Sequence, residues 1–430
     1  MLKWPRHVAR FCFMGLVGMT CVFLYGIGRL GTLFILDASR RRAAVARLKG
    51  RLLRSSMATL GATFIKLGQV MSTRPDLLAP EIIEELRKLQ DKLPPFAFRH
   101  VRARIEADLG RPVEACFAEL DPRPVAAASV AQVHRGRLHD GTEVAVKVLR
   151  PDVRRKVERD AALLIGMARF LALFPRIRLS DPVGHLQYFV AGIIEQTDLR
   201  IEARNNAVFQ RNFKTFPDVV FPRLYLEVSG ENVLTMEFYR GRKVDELGPG
   251  DHVRQAVAIR NAFFKMCFED GVLHADLHPG NLLVLESGEV AVFDLGLVLH
   301  IEEELLRQFV DFAKCVSMGT PEDFVNHLRT FHTYLDGVDW DAVTHDAVTF
   351  VTRFRQKSVT ELEWGAFINN MFALARQHKI RPLPELVLVF VGVVTSEGLG
   401  KLLNPHGNSF QEMASFILPI VQRRGLLAAR

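Results

Sequence analysis

Residues 274–296 constrain this chain more than any other stretch. They read His274-Ala-Asp276-Leu-His278-Pro-Gly-Asn281 and then, after twelve intervening residues, Asp294-Leu-Gly296. Pro279 and Gly280 make the first part a loop, while Val290-Ala-Val-Phe293 leads into Asp294 as a short apolar strand. A carboxylate, an amide five residues later and a second carboxylate beyond a strand form a polar set suited to one chemistry. Asp276 orients or deprotonates an acceptor hydroxyl or a water, and Asn281 and Asp294 hold Mg2+ on ATP. His274 and His278 are four apart and admit a zinc reading with Asp276. The Pro-Gly break argues against the helix that reading needs.

An upstream segment supplies the partner such a set requires. Val144-Ala-Val-Lys147-Val reads as a strand carrying one lysine, placed to reach the α- and β-phosphates of a nucleotide. A lysine in that role needs a carboxylate to hold it. Glu202, on a helix expected over residues 199–213, is the candidate, with Glu195 and Asp198 one turn earlier. The gap of 55 residues between Lys147 and Glu202 makes residues 152–190 an insertion. No GxGxxG precedes Lys147. The segment Ala126-Ala127-Ala128-Ser129-Val130-Ala131-Gln132-Val-His134 stands in its place. Alanine is stiffer than glycine over a phosphate, so such a loop covers a nucleotide with a different geometry. By order along the chain, backbone groups of Glu237-Phe-Tyr239 contact adenine.

The fold expected is α+β: a protein-kinase-like two-lobe fold with a small mixed β-sheet lobe, a large helical lobe and ATP in the cleft. Residues 1–37 form a hydrophobic membrane segment and 38–120 a helical extension. Residues 121–240 form the small lobe with its helical insertion, and 241–430 the large lobe. Helices are expected over 55–71 and 80–92. Strands are expected over 125–138 and 142–149, joined by His139-Asp-Gly141, and over 219–226, 232–238, 282–285 and 289–293. Leu386–Val394 is too short an apolar run to span a bilayer and reads as a buried helix.

The chain has 430 residues, 49% hydrophobic and 24% charged, ample for a folded core. Its net charge of +8 is partly local. Between Asp37 and Asp76 there is no acidic residue, while Arg40, Arg41, Arg42, Arg47, Lys49, Arg51, Arg54, Lys66 and Arg74 fall in that interval. No nucleic-acid signature accompanies these cations, so nucleic acid is not an expected partner. Just upstream, residues 11–28 carry no charge. As a helix they would run about 27 Å, against the roughly 30 Å of a hydrocarbon core. A membrane span and a helix lying in the interface both fit. The flanking cations favour anionic headgroups as partners and a cytoplasmic catalytic domain at the inner membrane. The five cysteines are too widely spaced for a disulfide framework or a CxxC metal site.

These residues together resemble the UbiB/AarF family of atypical kinase-like proteins. Lys66-Leu-Gly68-Gln69 matches its Lys-x-Gly-Gln motif, as do Ser72-Thr-Arg74-Pro-Asp76-Leu-Leu and Leu89-Gln-Asp91-Lys-Leu-Pro-Pro95. The alanine-rich 126–134 loop and the His274–Asn281 segment match its nucleotide and catalytic loops, and the likeness covers roughly residues 50–405. The resemblance implies Lys-x-Gly-Gln helices packed over the active site, which makes Lys66 and Gln69 site residues. It also implies Mg2+-ATP chemistry on a lipid or small molecule, or as an ATPase, and a link to quinone-biosynthesis enzymes or precursors. A protein Ser/Thr kinase and a non-catalytic, ATP-switched lipid chaperone or scaffold are the alternatives. This chain departs from the family in carrying Gln196 where a Glu-x-Asp element would precede Asp198, and in placing its long apolar segment at the N-terminus.

Overall fold

The computed structural model describes residues 4–72, 74–75, 78–89, 94–173, 182–247, 252–318, 320–330, 338–355, 363–380 and 383–404, with short helical pieces at 415–416, 418–420 and 422–423. Parts of two motifs, Thr73, Asp76, Leu77 and Gln90–Leu93, lie outside the described residues, as does most of the chain after Asn404. By contact density the chain forms two compact units. The first holds Met1–Thr73, Leu78–Arg204 and Arg223–Phe238; the second holds Arg74–Leu77, Asn205–Pro222 and Tyr239–Arg430.

The first unit begins with helices. α1 (Trp4–Thr32) is followed by α2 (Ala38–Leu60), which starts where the Asp37 carboxylate accepts the Arg40 N–H at 2.7 Å. The helix expected over 55–71 is instead two. Gly61 sits at φ +92°, which ends α2 and lets α3 (Ala62–Ser72) leave in a new direction. Gly68 of α3 is needed for packing, because a Cβ there would collide with Leu89 and Met57. α4 is shorter than expected, Pro80–Leu86.

After α5 (Phe98–Leu109) and α6 (Val113–Cys116), three antiparallel strands follow: β1 (Glu119–Ala127), β2 (Ala131–Arg137) and β3 (Glu143–Leu149). The single strand expected over 125–138 is therefore broken at Ala128–Val130, and its first part starts six residues earlier, at Glu119. The β2–β3 turn is as the sequence predicts, with Gly141 at φ +88° and the Thr142 N–H donating to Asp140. β5 (Val233–Glu237) pairs with β3 and completes a sheet of order β1-β2-β3-β5. Val144, Val146 and Val148 are fully buried against Val101, Ile105 and Phe117. The two-residue period of the strand thus turns Lys147 to the other face. The insertion is helical, α7 (Val153–Leu171), α8 (Pro182–Glu195) and α9 (Leu199–Asn212); residues 174–181 lie outside the described residues.

In the second unit, the strand expected over 219–226 is only β4 (Val219–Val220), since Pro222 cannot donate to a ladder. β4 joins β9 (Val290–Val292), β8 (Leu282–Leu285) and β6 (Gly241–Lys243) in a small sheet, and β7 (Val272–His274) pairs with β10 (Val298–His300). β6, β7 and β10 are three residues each, too short for an alternation to register in sequence. Helices α10 (Val253–Phe264), α11 (Glu303–Met318), α12 (Pro321–Thr330), α13 (Trp340–Arg355), α14 (Trp364–Gln377) and α15 (Pro384–Leu403) build the rest. Their core is phenylalanine-rich: Phe263, Phe312, Phe324, Phe367 and Phe390 are all essentially inaccessible. α15 contains the apolar 386–394 run and buries Leu386, Val387 and Phe390 in that core. Arg376 of α14 donates to the Pro75 carbonyl, which ties that residue of the extension to this unit.

Glu397 of α15 is a buried carboxylate whose oxygens accept the Trp364 N–H at 3.2 Å and the Gly365 N–H at 2.6 Å. It caps the first turn of α14, where backbone donors have no helical partner and a negative charge meets the helix dipole. Replacing Glu397 by Ala should cost about 2 kcal/mol, with Glu397→Gln intermediate. Urea denaturation followed by circular dichroism checks this; an unchanged midpoint in both variants would remove the capping role.

Candidate functional site

In the first unit, Lys147 Nζ donates to both oxygens of Glu202, at 2.8 and 2.7 Å. The two side chains are 12% and 7% exposed, so little water screens them. Glu202 lies in the first turn of α9 and reaches β3 from the far end of the insertion. Glu195 is exposed at the end of α8, and Asp198 is held at 2.8 Å by Arg200, whose hydrogen bonds keep that carboxyl below its usual range. The carboxylate that holds the lysine is therefore Glu202, and Gln196 costs the pair nothing.

The alanine-rich segment is the β1–β2 turn. Ala127 and Ala131 flank it, and Ala128, Ser129 and Val130 form it. The Ala128 N–H donates to the Ala131 carbonyl. Arg150 clamps the turn twice, through its N–H to the Val130 carbonyl and through Nε to the Ala128 carbonyl at 2.9 Å. Its guanidinium also lies over the Phe96 ring. Ser129 is wholly buried. Gln132 departs from the expected role. Its carbonyl accepts the Phe96 N–H at 3.0 Å, and its amide nitrogen bonds the Phe96 carbonyl and His134 Nε2. With its donors used and 1% exposure, Gln132 braces the sheet and has no N–H left for a phosphate.

Lys66 and Gln69 share a face of α3. Lys66 is buried, and Gln69 donates to the Leu89 carbonyl at 3.3 Å. Gly68, between them, permits the close approach of α3 to Leu89 and Met57. Glu237 ends β5, where its N–H donates to the Arg223 carbonyl, and Tyr239 opens the second unit with its ring edge-on to Phe293 at 6.1 Å.

The second unit gathers the carboxylates. Asn281 Nδ2 donates to the Asp276 carbonyl at 3.0 Å, and the Asn281 carbonyl accepts the Phe293 N–H at 2.9 Å. These bonds lock the two loops together and fix the Asn281 side chain, which leaves its Oδ1 as the acceptor. Asp294 follows Phe293 at φ +56°, a left-handed conformation costly for a non-glycine residue and concentrated at functional sites. His274 Nε2 reaches the Phe293 carbonyl at 3.1 Å, while Nδ1 accepts the Asp276 N–H. The imidazole is thereby set as a neutral Nε2–H tautomer that joins the two carboxylate-bearing loops. His278 Nδ1 accepts the Gly280 N–H. Both histidines are spent on the backbone, and among the described residues no cluster of three His, Cys, Asp or Glu presents a zinc site. The hard oxygens of Asn281 and Asp294 suit Mg2+, which prefers few protein ligands with phosphate and water completing its shell.

Two consequences are measurable. Lys147→Met strands a buried carboxylate and Glu202→Met a buried ammonium, each costing about 3 kcal/mol, whereas the two together should recover most of it. A double-mutant cycle on unfolding midpoints checks this; additive losses would contradict it. Burial pushes His134 and His274 below their ordinary pKa of 6.5, more than their carbonyl contacts raise it. The unfolded chain then binds protons that the folded chain refuses, so stability is full above pH 6.5 and falls as pH drops below it. His134→Gln or His274→Gln should flatten that slope in thermal melts between neutral and mildly acidic pH.

The chain also resembles known proteins. The ABC1 atypical kinase-like domain matches residues 88–321, and the UbiB helical domain matches residues 348–408. An uncharacterized protein of Synechocystis sp. is 31% identical over 87% of this chain and 65% of its own length. The probable protein kinase UbiB of Aeromonas salmonicida is 31% identical over 91% of this chain and 73% of its own length. Among solved structures, Mycobacterium tuberculosis Rv3197 in complex with erythromycin shares the fold at a TM-score of 0.51 and 20% identity, covering 79% of this chain and 91% of that one. With more than half its length in one matching domain, and a relative 31% identical over most of the chain, the chain belongs to the ABC1 atypical kinase-like, or UbiB, family.

Proposed function

We propose that this protein is a membrane-associated, ATP-dependent atypical kinase or ATPase that supports isoprenoid quinone (ubiquinone) biosynthesis. It transfers the γ-phosphoryl group of Mg2+-ATP to a lipid, a small molecule or water. The Lys147–Glu202 pair carries the reading. A buried lysine held by both oxygens of one carboxylate is fixed in direction, and such a lysine serves to position phosphates.

Asn281 and Asp294 would hold Mg2+, which neutralises charge on the phosphates when bound. Asp276 accepts the proton of the acceptor hydroxyl as its oxygen bonds to phosphorus, and ADP leaves with the electrons of the broken bond. The Ala128–Val130 turn offers backbone to the phosphates, and the Arg150 clamp fixes its shape. Glu237 and Tyr239 flank the stretch expected to meet adenine, and Lys66 and Gln69 act as the packed Lys-x-Gly-Gln helix that restricts the acceptor to something smaller than a protein. Quinone precursors and the enzymes that make them fit such an acceptor site, and anionic lipid fits the cations of residues 40–54.

The test is an ATPase assay of the full chain with and without anionic liposomes and quinone-precursor analogues. Turnover should require Mg2+ and rise with either addition. Asp294→Asn should lower turnover by at least about a hundredfold, the scale of losing a transition-state charge contact. Undiminished turnover in that variant overturns the assignment, and phosphate transfer to a generic protein substrate would favour a protein Ser/Thr kinase.

A further inference from the structure

α1 is long and apolar enough to cross a bilayer, yet its contacts within the first unit oppose a crossing. Met14, Val17, Cys21, Tyr25, Gly28 and Thr32, spaced three and four apart, form the covered face of α1. That face runs along α2. Gly28 closes on Leu48, Tyr25 lies 5.7 Å from Lys49 Nζ, and Arg10 donates to the Leu60 carbonyl at 2.7 Å. Arg10 also pairs with the buried Asp160 of α7 at 2.7 Å. Both ends of α1 are therefore tied to α2, and one end is tied to α7 as well. α2 in turn closes on α4 through Gly50, next to Ile82 and Glu85.

The rest of α1 is exposed and apolar: Phe11, Leu16, Met19, Val22, Phe23 and Ile27 are 53–72% accessible. Phe34 and Leu36, in the turn to α2, are 88% and 97% accessible. α2, packed along α1, exposes Arg40, Arg41, Arg42, Arg47, Lys49 and Arg51. Crossing the bilayer would drag those cations into hydrocarbon or strip α1 from its seam, and both cost free energy. Lying flat costs neither.

We infer that the α1–α2 hairpin docks in the plane of an anionic lipid surface and does not span it. The outer face of α1 enters the acyl boundary, and the α2 cations supply the polar side that an interfacial helix needs. This rests on the membrane association proposed above and decides its form.

The test uses the full chain with Cys12, Cys21 and Cys315 replaced by Ser and the buried Cys116 and Cys267 kept. A single cysteine is placed by Lys3→Cys or Ser39→Cys. In sealed inverted vesicles from an expressing bacterium, a membrane-impermeant maleimide should label both positions equally. Labelling of one position only after detergent is a span, and overturns the inference while leaving membrane association intact. As a second readout, nitroxides at Phe11, Met19 and Leu30 on phosphatidylcholine–phosphatidylglycerol vesicles should report one shallow depth; a deepest value at Met19 overturns it. Reversing Arg40, Arg41 and Arg42 to Glu should weaken vesicle binding about a hundredfold and leave ATP turnover without membranes unchanged. Self-association that buries α1 without lipid overturns the lipid as its partner. Failure to bind any vesicle overturns both this inference and the membrane association, whereas absent ATPase activity overturns only the catalytic reading.

Discussion

The Lys147–Glu202 pair organises the first unit. It joins a strand to a helix that begins on the far side of a long helical insertion, so that insertion must fold back for the pair to form. A buried ion pair adds little net stability but penalises any arrangement that separates its members. Its value here is specificity of geometry. The valines on the opposite face of the same strand supply the burial that makes the pair affordable.

The second unit uses a different device. His274 and the amide nitrogen of Asn281 bond backbone groups and hold the Asp276 and Asp294 loops against each other. Asp294 stays left-handed because its neighbours are fixed on both sides, by Asn281 before it and by the Asn205 bond to the Leu295 carbonyl after it. Strain persists where surrounding bonds over-determine a residue. The alanine-rich turn follows the same logic. Where glycines would give freedom, Arg150 and Gln132 give a rigid shape.

The N-terminal helices combine two roles usually kept apart. α2 belongs to the folded extension through α4, and it also carries the cationic face beside the apolar surface of α1. Beyond the turn at Gly61 comes α3, the helix that carries Lys66 and Gln69. Gly68 lets α3 pack closely, since any side chain at that position would push Leu89 and Met57 away.

Much was legible in the residues alone. Motif order gave the family and the α+β class, and the β2–β3 turn was visible in Asp140-Gly141. The 386–394 run read as a buried helix because it is short, but α15 around it is long and apolar enough to cross a bilayer, and it is burial of Leu386, Val387 and Phe390 that puts it in the core. Glu202 could be named as a carboxylate on the helix expected over residues 199–213. Other features depend on contacts between residues far apart in the chain, which no local pattern encodes. Gln132 belongs to the loop expected to cover the nucleotide, but its side chain is used by Phe96, thirty-six residues away. The three-residue strands are fixed by pairing with distant segments, not by local propensity. Glu397 gave no signal as a cap because the helix it caps begins thirty-three residues earlier. The sequence by itself determined the chemistry available, since that depends on residue types and order. The tertiary structure alone decided which groups are held for that chemistry and which are consumed as braces, since that depends on which distant backbone groups they meet.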